Sequence, residues 1–224
     1  MFYLRKIVTC TITLLMVGMS QAQQTKFSLA TDASLVRSFK QDQRYWAFGQ
    51  TVNFHFHFNP QNGAYAWICY SANGRFTNQV TADAKSSTTF PQQVSYINWA
   101  QLRFNHISIG WKRYLKGSFD SETGWSLYGY AGFGLMFGRV LNTQPVIVDS
   151  SLYAVPVLPG EGRFKRLTFD VGLGAEIPVG ADIYIYFEGR TLIPTTDYPS
   201  QYLFVNENAP FTASLNLGIR LLFQ

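Results

Sequence analysis

The stretch FTASLNLGIRLLF, residues 211–223, decides the fold class of this chain. Phe211, Ala213, Leu215, Leu217, Ile219, Leu221 and Phe223 hold the odd positions, and Thr212, Ser214, Asn216, Gly218 and Arg220 the even ones. A β-strand turns successive side chains to opposite faces, so this segment is a strand with one apolar and one polar face. Leu167, Phe169, Val171, Leu173, Ala175 and Ile177 repeat the pattern against Thr168, Asp170, Gly172, Gly174 and Glu176. So do Trp46, Phe48, Val52, Phe54, Phe56 and Phe58 against Gly49, Thr51, Asn53, His55 and His57.

The polar face carries Gly, Ser, Asn and His with few charges, where a wet sheet face is usually rich in Lys, Glu and Thr. That composition suits the crowded interior of a small barrel whose apolar face meets lipid. A soluble lipocalin-like barrel has the opposite sense, apolar inside; alternation alone does not choose between them, but composition does. Aromatics make up 17% of the chain and charged residues 14%, against about 25% charged in an ordinary soluble domain. No apolar run beyond the first residues is long enough for a membrane helix, and only helices and closed barrels satisfy their backbone in lipid. The fold class is therefore all-β: a closed antiparallel transmembrane β-barrel of about eight strands.

Strands are expected near 26–38, 45–58, 64–77, 97–115, 125–140, 165–178, 183–193 and 211–223. Asn59–Gly63 and Pro178–Asp182 read as tight turns and Lys116–Gly124 as a medium one. Gly74–Tyr96, Leu141–Lys165 and Pro194–Pro210 are long connections, while Phe39–Arg44 is short. With both chain ends on the periplasmic side, the long connections all fall outside, the pattern of outer-membrane barrels. In the fourth segment Ala100, Leu102 and Phe104 are even, whereas Ile107, Ile109 and Trp111 are odd; a bulge near Asn105–His106 would restore one apolar face. Trp46, Phe137, Phe169 and Phe211 are expected near the outer strand ends, and Phe58, Trp111, Trp125 and Phe223 near the inner ends, as two aromatic girdles.

Residues 1–22 read as a cleavable export signal, with Arg5 and Lys6, an uncharged run Ile7–Met19 and the small-x-small site Ser20-Gln21-Ala22. Residues 23–224 then form one barrel domain. Cys10 leaves with the signal and Cys69 stands alone, so no intramolecular disulfide is expected. The balance of 18 basic to 13 acidic residues falls to 16 to 13 without Arg5 and Lys6, too mild to suggest nucleic acid.

The last strand resembles the C-terminal assembly signal of outer-membrane barrels, polar-x-Gly-x-x-apolar-x-apolar, on Asn216, Gly218, Leu221 and Phe223. Gln224 follows, where that family usually ends on the aromatic residue. The whole expected mature chain is similar to the small OmpA/OmpX-type barrels and related outer-membrane β-barrel domains. The resemblance implies a Gram-negative outer-membrane location and insertion by the barrel-assembly machinery. It implies no single activity, since one fold hosts many functions.

The residues assigned to the lumen are Asp170, Glu176, Glu188, Arg190, Arg220, His55 and His57. Taking Gly180 as the turn centre pairs Glu176 with Tyr184, Gly174 with Tyr186, Gly172 with Glu188, and Asp170 with Arg190. His55 and His57 share a face, but a metal site needs a third ligand and His106 is remote in sequence. No metal or cofactor is expected. The glycine-rich segment 128–134 lacks the Lys-Ser/Thr of a phosphate loop and reads as packing space. Arg37, Lys40, Arg44, Arg75, Arg139, Arg163, Lys165 and Arg166 give the outer rim a mild positive charge. Such groups can contact phosphates of outer-membrane lipid and lipopolysaccharide, or serve as solvated loop charge. Tyr153, Tyr202 and Phe204 on the long loops are partner-surface candidates. The expected function is a non-enzymatic barrel, structural, adhesive or part of an envelope complex. The alternatives are a narrow pore or a lipid A-modifying barrel enzyme; eight strands leave no room for a wide porin.

Overall fold

The computed structural model describes residues 26–39, 43–180, 182–195, 202 and 211–223, without the side chain of Asn73. The export signal, 1–22, lies outside the described residues, as do Lys40 and Phe204. The strands are β1 (Lys26–Ser38), β2 (Trp46–Asn59), β3 (Asn62–Ala84), β4 (Gln93–Lys116), β5 (Ser126–Thr143), β6 (Tyr153–Ala154), β7 (Gly160–Pro178), β8 (Ile183–Pro194) and β9 (Thr212–Phe223). Each long strand pairs antiparallel with its neighbours, and β1 pairs with both β2 and β9, closing an eight-stranded barrel. The two-residue β6 pairs with the tip of β3 outside the barrel wall.

Burial fixes the sense of the wall. Val52, Phe54, Phe56, Ile107, Ile109, Phe133, Leu135, Leu173, Ile185, Phe187, Leu217 and Ile219 are all exposed on the outside. Thr51, Asn53, His55, His57, His106, Asp170, Glu176, Glu188, Arg190, Asn216 and Arg220 are buried inside. An apolar belt around a polar interior is the cross-section of a transmembrane barrel. Trp46, Phe137 and Phe211 at one end, and Phe58, Trp111, Trp125 and Phe223 at the other, are exposed as expected. Phe169 is instead mid-strand, because β7 begins at Gly160 rather than 165.

Two expectations about strand geometry need correction. β4 keeps one unbroken register with β5 from Trp99 to Tyr114, so there is no bulge at Asn105–His106. Ala100, Leu102 and Phe104 point inward with His106, and Gln101, Arg103 and Asn105 point outward. Here the outward face is polar over Gln101, Arg103 and Asn105, between the apolar outward residues Trp99 and Ile107, while the inward face is apolar. The register shift lies in β3 instead, between Ser71 and Gly74. The second correction concerns the β7–β8 turn. Gly172 stands opposite Arg190, Gly174 opposite Glu188 and Glu176 opposite Tyr186, two residues away from the expected register. The turn closes with the Val179 N–H donating to the Ile183 carbonyl at 2.9 Å, which centres it one residue later. An even slip preserves side-chain parity, so every face assignment survives while the expected Asp170–Arg190 pair does not.

At the short-turn end, Asn59 Oδ1 accepts from the backbone N–H groups of Gln61 and Asn62 at 3.0 and 2.8 Å, an Asx-type turn. At the other end β3 and β4 run on together past the barrel as a hairpin stem, so much of the expected loop Gly74–Tyr96 is strand. Val80, Ala82, Tyr96 and Tyr153 form a small core in that stem.

Candidate functional site: the lumen and the long-loop end

Most of the charged side chains assigned to the lumen converge in two linked clusters. Near the short-turn end Glu176 accepts from Arg220 Nη2 at 2.7 Å, Arg220 Nε at 3.1 Å and the Tyr114 hydroxyl at 2.8 Å. Arg220 also donates to Ser28 Oγ at 2.9 Å and lies over the Tyr184 ring. Higher up, Glu188 accepts from Arg190 Nη2 at 2.8 Å, Tyr130 at 2.7 Å, Tyr128 at 3.0 Å and Asn216 Nδ2 at 3.2 Å. Arg190 further donates to Thr51 Oγ1 at 3.3 Å and stacks on Trp67. Asp32, which the sequence reading did not single out, accepts from Ser34, Tyr186 and Asn53 and lies 3.8 Å from Arg190. Its position on the inward parity of β1 was the available signal.

Asp170 meets His106 rather than Arg190, at 3.5 Å, and His106 Nε2 is 2.7 Å from Thr168 Oγ1. His57 contacts Ser28 Oγ at 2.7 Å and stacks on Phe119, with His55 beside it. Among the described residues no group of three His, Cys, Asp or Glu side chains is placed to hold a metal ion.

Among the described residues the buried lumen charges are Lys112, Arg166, Arg190 and Arg220 against Asp32, Asp170, Glu176 and Glu188, four of each sign. Among the described residues packed side chains narrow both ends of the lumen, and a cleft of about 280 Å³ remains at the short-turn end between Phe119, His57 and Lys26. At the short-turn end the β4–β5 turn tucks Phe119 under the barrel, its N–H donating to the Pro60 carbonyl and its own carbonyl accepting from Arg220. Gly117 makes that turn possible at φ +74°, where a side chain would also strike Ser126. At the long-loop end Tyr45, Leu102, Phe104, Met136, Phe164 and Leu192 form an apolar plug. The gap within that plug holds about 20 Å³ and the one below it about 10 Å³, room for a single water at most.

Gly172 and Gly174 leave space that the bulky Tyr130 and Tyr128 of β5 fill, rather than side chains of β8.

At the rim, Arg37 lies over Trp46, Lys165 over Phe137, and Arg44 and Arg163 are exposed. Arg166 is misplaced by the sequence reading: it is buried inside, lining the plug, because it shares the even, inward parity of Thr168. Tyr153 is not a free partner surface either. It is buried in the stem, and its hydroxyl donates to the Pro91 carbonyl at 3.0 Å. Tyr202 packs against the apolar plug. Among the described residues the large apolar side chains most open at this end are Phe90 and Ile147, 81% and 86% exposed. In the terminal strand Asn216 and Gly218 face inward, while Leu221 and Phe223 face outward, Phe223 stacked on Phe27 across the closing seam.

No protein-family model matches the chain, and no curated protein matches it. A solved structure shares its fold. Neisserial surface protein A, NspA, superposes with a TM-score of 0.54 at 12% identity, covering 88% of this chain and 97% of that one. Ail, the attachment invasion locus protein of Yersinia pestis, gives 0.49 at 12% identity, with coverages of 90% and 100%. A major outer membrane protein from Thermus thermophilus gives 0.49 at 11%, with coverages of 88% and 99%. The chain thus has the fold of a small eight-stranded outer-membrane barrel.

Proposed function

We propose that this chain is an integral outer-membrane barrel with a closed lumen and no enzymatic activity, acting through the surface of its long-loop end. Its role is adhesive, structural or that of a subunit in an envelope complex. It is exported through a cleaved signal, residues 1–22, and inserted by the barrel-assembly machinery, which reads its terminal strand.

The observation that carries this reading is the packed, charge-balanced lumen. Among the described residues four buried cations match four buried anions and side chains pack across the lumen toward both ends, which speaks against a continuous water path and against a net field to select ions. His106, the histidine nearest a hydroxyl and a carboxylate together, is fully buried and shut off from substrate. What stays accessible is the stem and the loop packed on it. Lys85 holds that loop through its backbone N–H to the Leu152 carbonyl at 2.9 Å and its ammonium to the Ser150 carbonyl at 2.7 Å. An ordered platform of this kind loses little entropy when it meets a partner.

The test combines two readouts. Purified barrel in a planar bilayer is expected to show no stepwise conductance, and lipid A from cells overproducing it is expected to be chemically unchanged. Stable single-channel openings would replace this reading with a pore, and a new deacylated or acylated lipid A species with an enzyme.

A further inference from the structure

Three arginines stand side by side on the outside of the wall. Arg103 of β4 is the direct cross-strand partner of Arg139 on β5, and Arg139 is the direct partner of Arg163 on β7. One outward row nearer the belt come Asn105, Phe137 and Lys165, and below these Ile107, Leu135 and Leu167 begin the apolar surface. One row further out, Glu161 bonds both Arg139 and Arg163. Four cations against one carboxylate leave a net charge of +3. Neither Arg103 nor Lys165 makes an ion pair among the described residues.

Like charges directly opposite one another in a sheet repel. A rim that needed only solubility is better served by alternating signs. Three arginines in register at the edge of a lipid-facing belt instead suit an anionic headgroup whose chains continue down the belt. Adjacent strands lie about 4.8 Å apart, so the outer two arginine backbones are separated by about 10 Å. One phosphodiester engages one guanidinium fork or two, whereas a headgroup with two separated phosphates spans the row. Arginine matches such groups with paired N–H donors.

We propose that Arg103, Arg139 and Arg163, with Lys165, bind the phosphates of a multiply phosphorylated glycolipid of the outer leaflet, its acyl chains lying on Ile107, Leu135 and Leu167. This rests on the reading that the long-loop end faces the outer leaflet.

The test uses the purified, folded barrel in nanodiscs, with bisphosphorylated lipid A, dephosphorylated lipid A and phosphatidylglycerol as probes, read by native mass spectrometry. Wild-type protein is expected to retain bisphosphorylated lipid A about 10-fold more strongly than the other two, given the strength of charge-assisted hydrogen bonds. Arg103→Gln/Arg139→Gln/Arg163→Gln should lose that preference, and Arg113→Gln, at the opposite end, should keep it. Arg103→Gln alone breaks no intramolecular ion pair, and a drop of about 3-fold or more is expected from losing one such contact. Equal retention by wild type and the triple variant overturns the site. So does equal binding of phosphatidylglycerol, or displacement by millimolar inorganic phosphate. Because the assay is independent of orientation in cells, lipid A binding by a barrel whose long loops prove periplasmic would support the site and overturn the orientation.

Discussion

Arg220 on β9 and Glu176 on β7 are joined across the intervening β8 by two hydrogen bonds, of 2.7 and 3.1 Å, with both side chains almost wholly buried. Breaking such a pair from one side strands a charge in the interior, at a cost of about 3–5 kcal/mol. Lys112, 3.9 Å from Glu176, leaves that carboxylate only a longer-range counter-charge, so Arg220→Ala should destabilise the barrel more than Arg220→Lys, which keeps a cation beside Glu176. Urea unfolding followed by heat-modifiable migration measures both. Equal stability of the two variants would contradict the pairing.

Gly174 is held open for the Tyr128 ring, whose nearest atoms would stand 2.5 Å from an added Cβ. Gly174→Val should cost about 1–3 kcal/mol by overpacking. Gly174→Val/Tyr128→Ala should recover part of the loss in the same unfolding assay. A neutral Gly174→Val would show that the lumen is looser than its packing indicates.

The sequence revealed the closed barrel, the strand order and the facing of nearly every belt residue, because period-two alternation is a local signal. It did not reveal the reversal of polarity in upper β4. There, apolar Ala100, Leu102 and Phe104 turn inward and polar Gln101, Arg103 and Asn105 outward, and alternation alone does not say which parity faces the lumen. The β7–β8 register was missed by two residues for a related reason. Gly180 marks a turn without marking its centre, and an even slip leaves the alternation unchanged. Lumen membership was therefore legible, while lumen partners were not: Arg190 meets Glu188 two residues away on its own strand and Asp32 across the barrel. Arg103 was overlooked because its importance comes from its register with Arg139, which only pairing reveals.

The terminal strand carries the next prediction. Phe223 faces outward and stacks on Phe27 with ring centroids 4.7 Å apart. Phe223→Asp near the interface should cost the finished barrel only about 0–1 kcal/mol. If the strand end is read during assembly, the membrane yield should fall far more than this cost accounts for. Normal yield with normal heat-modifiable migration would remove the assembly role.

Export gives a second covalent check. Mass spectrometry of the membrane-extracted protein should find Gln23 at the N-terminus, since the small residues Ser20 and Ala22 precede it. Protein in outer membranes that still begins at Met1 would contradict cleavage.

The most direct measurement is cysteine labelling in intact cells with a membrane-impermeant maleimide. Cys69 is buried and offers no background site, while Ser87 at the stem tip and Gln61 in the β2–β3 turn are both exposed. An outer-membrane barrel presenting its long-loop end to the outside predicts that Ser87→Cys labels in intact cells and Gln61→Cys only after the outer membrane is permeabilised. Labelling of Gln61→Cys in intact cells, with Ser87→Cys silent until permeabilisation, would contradict the account.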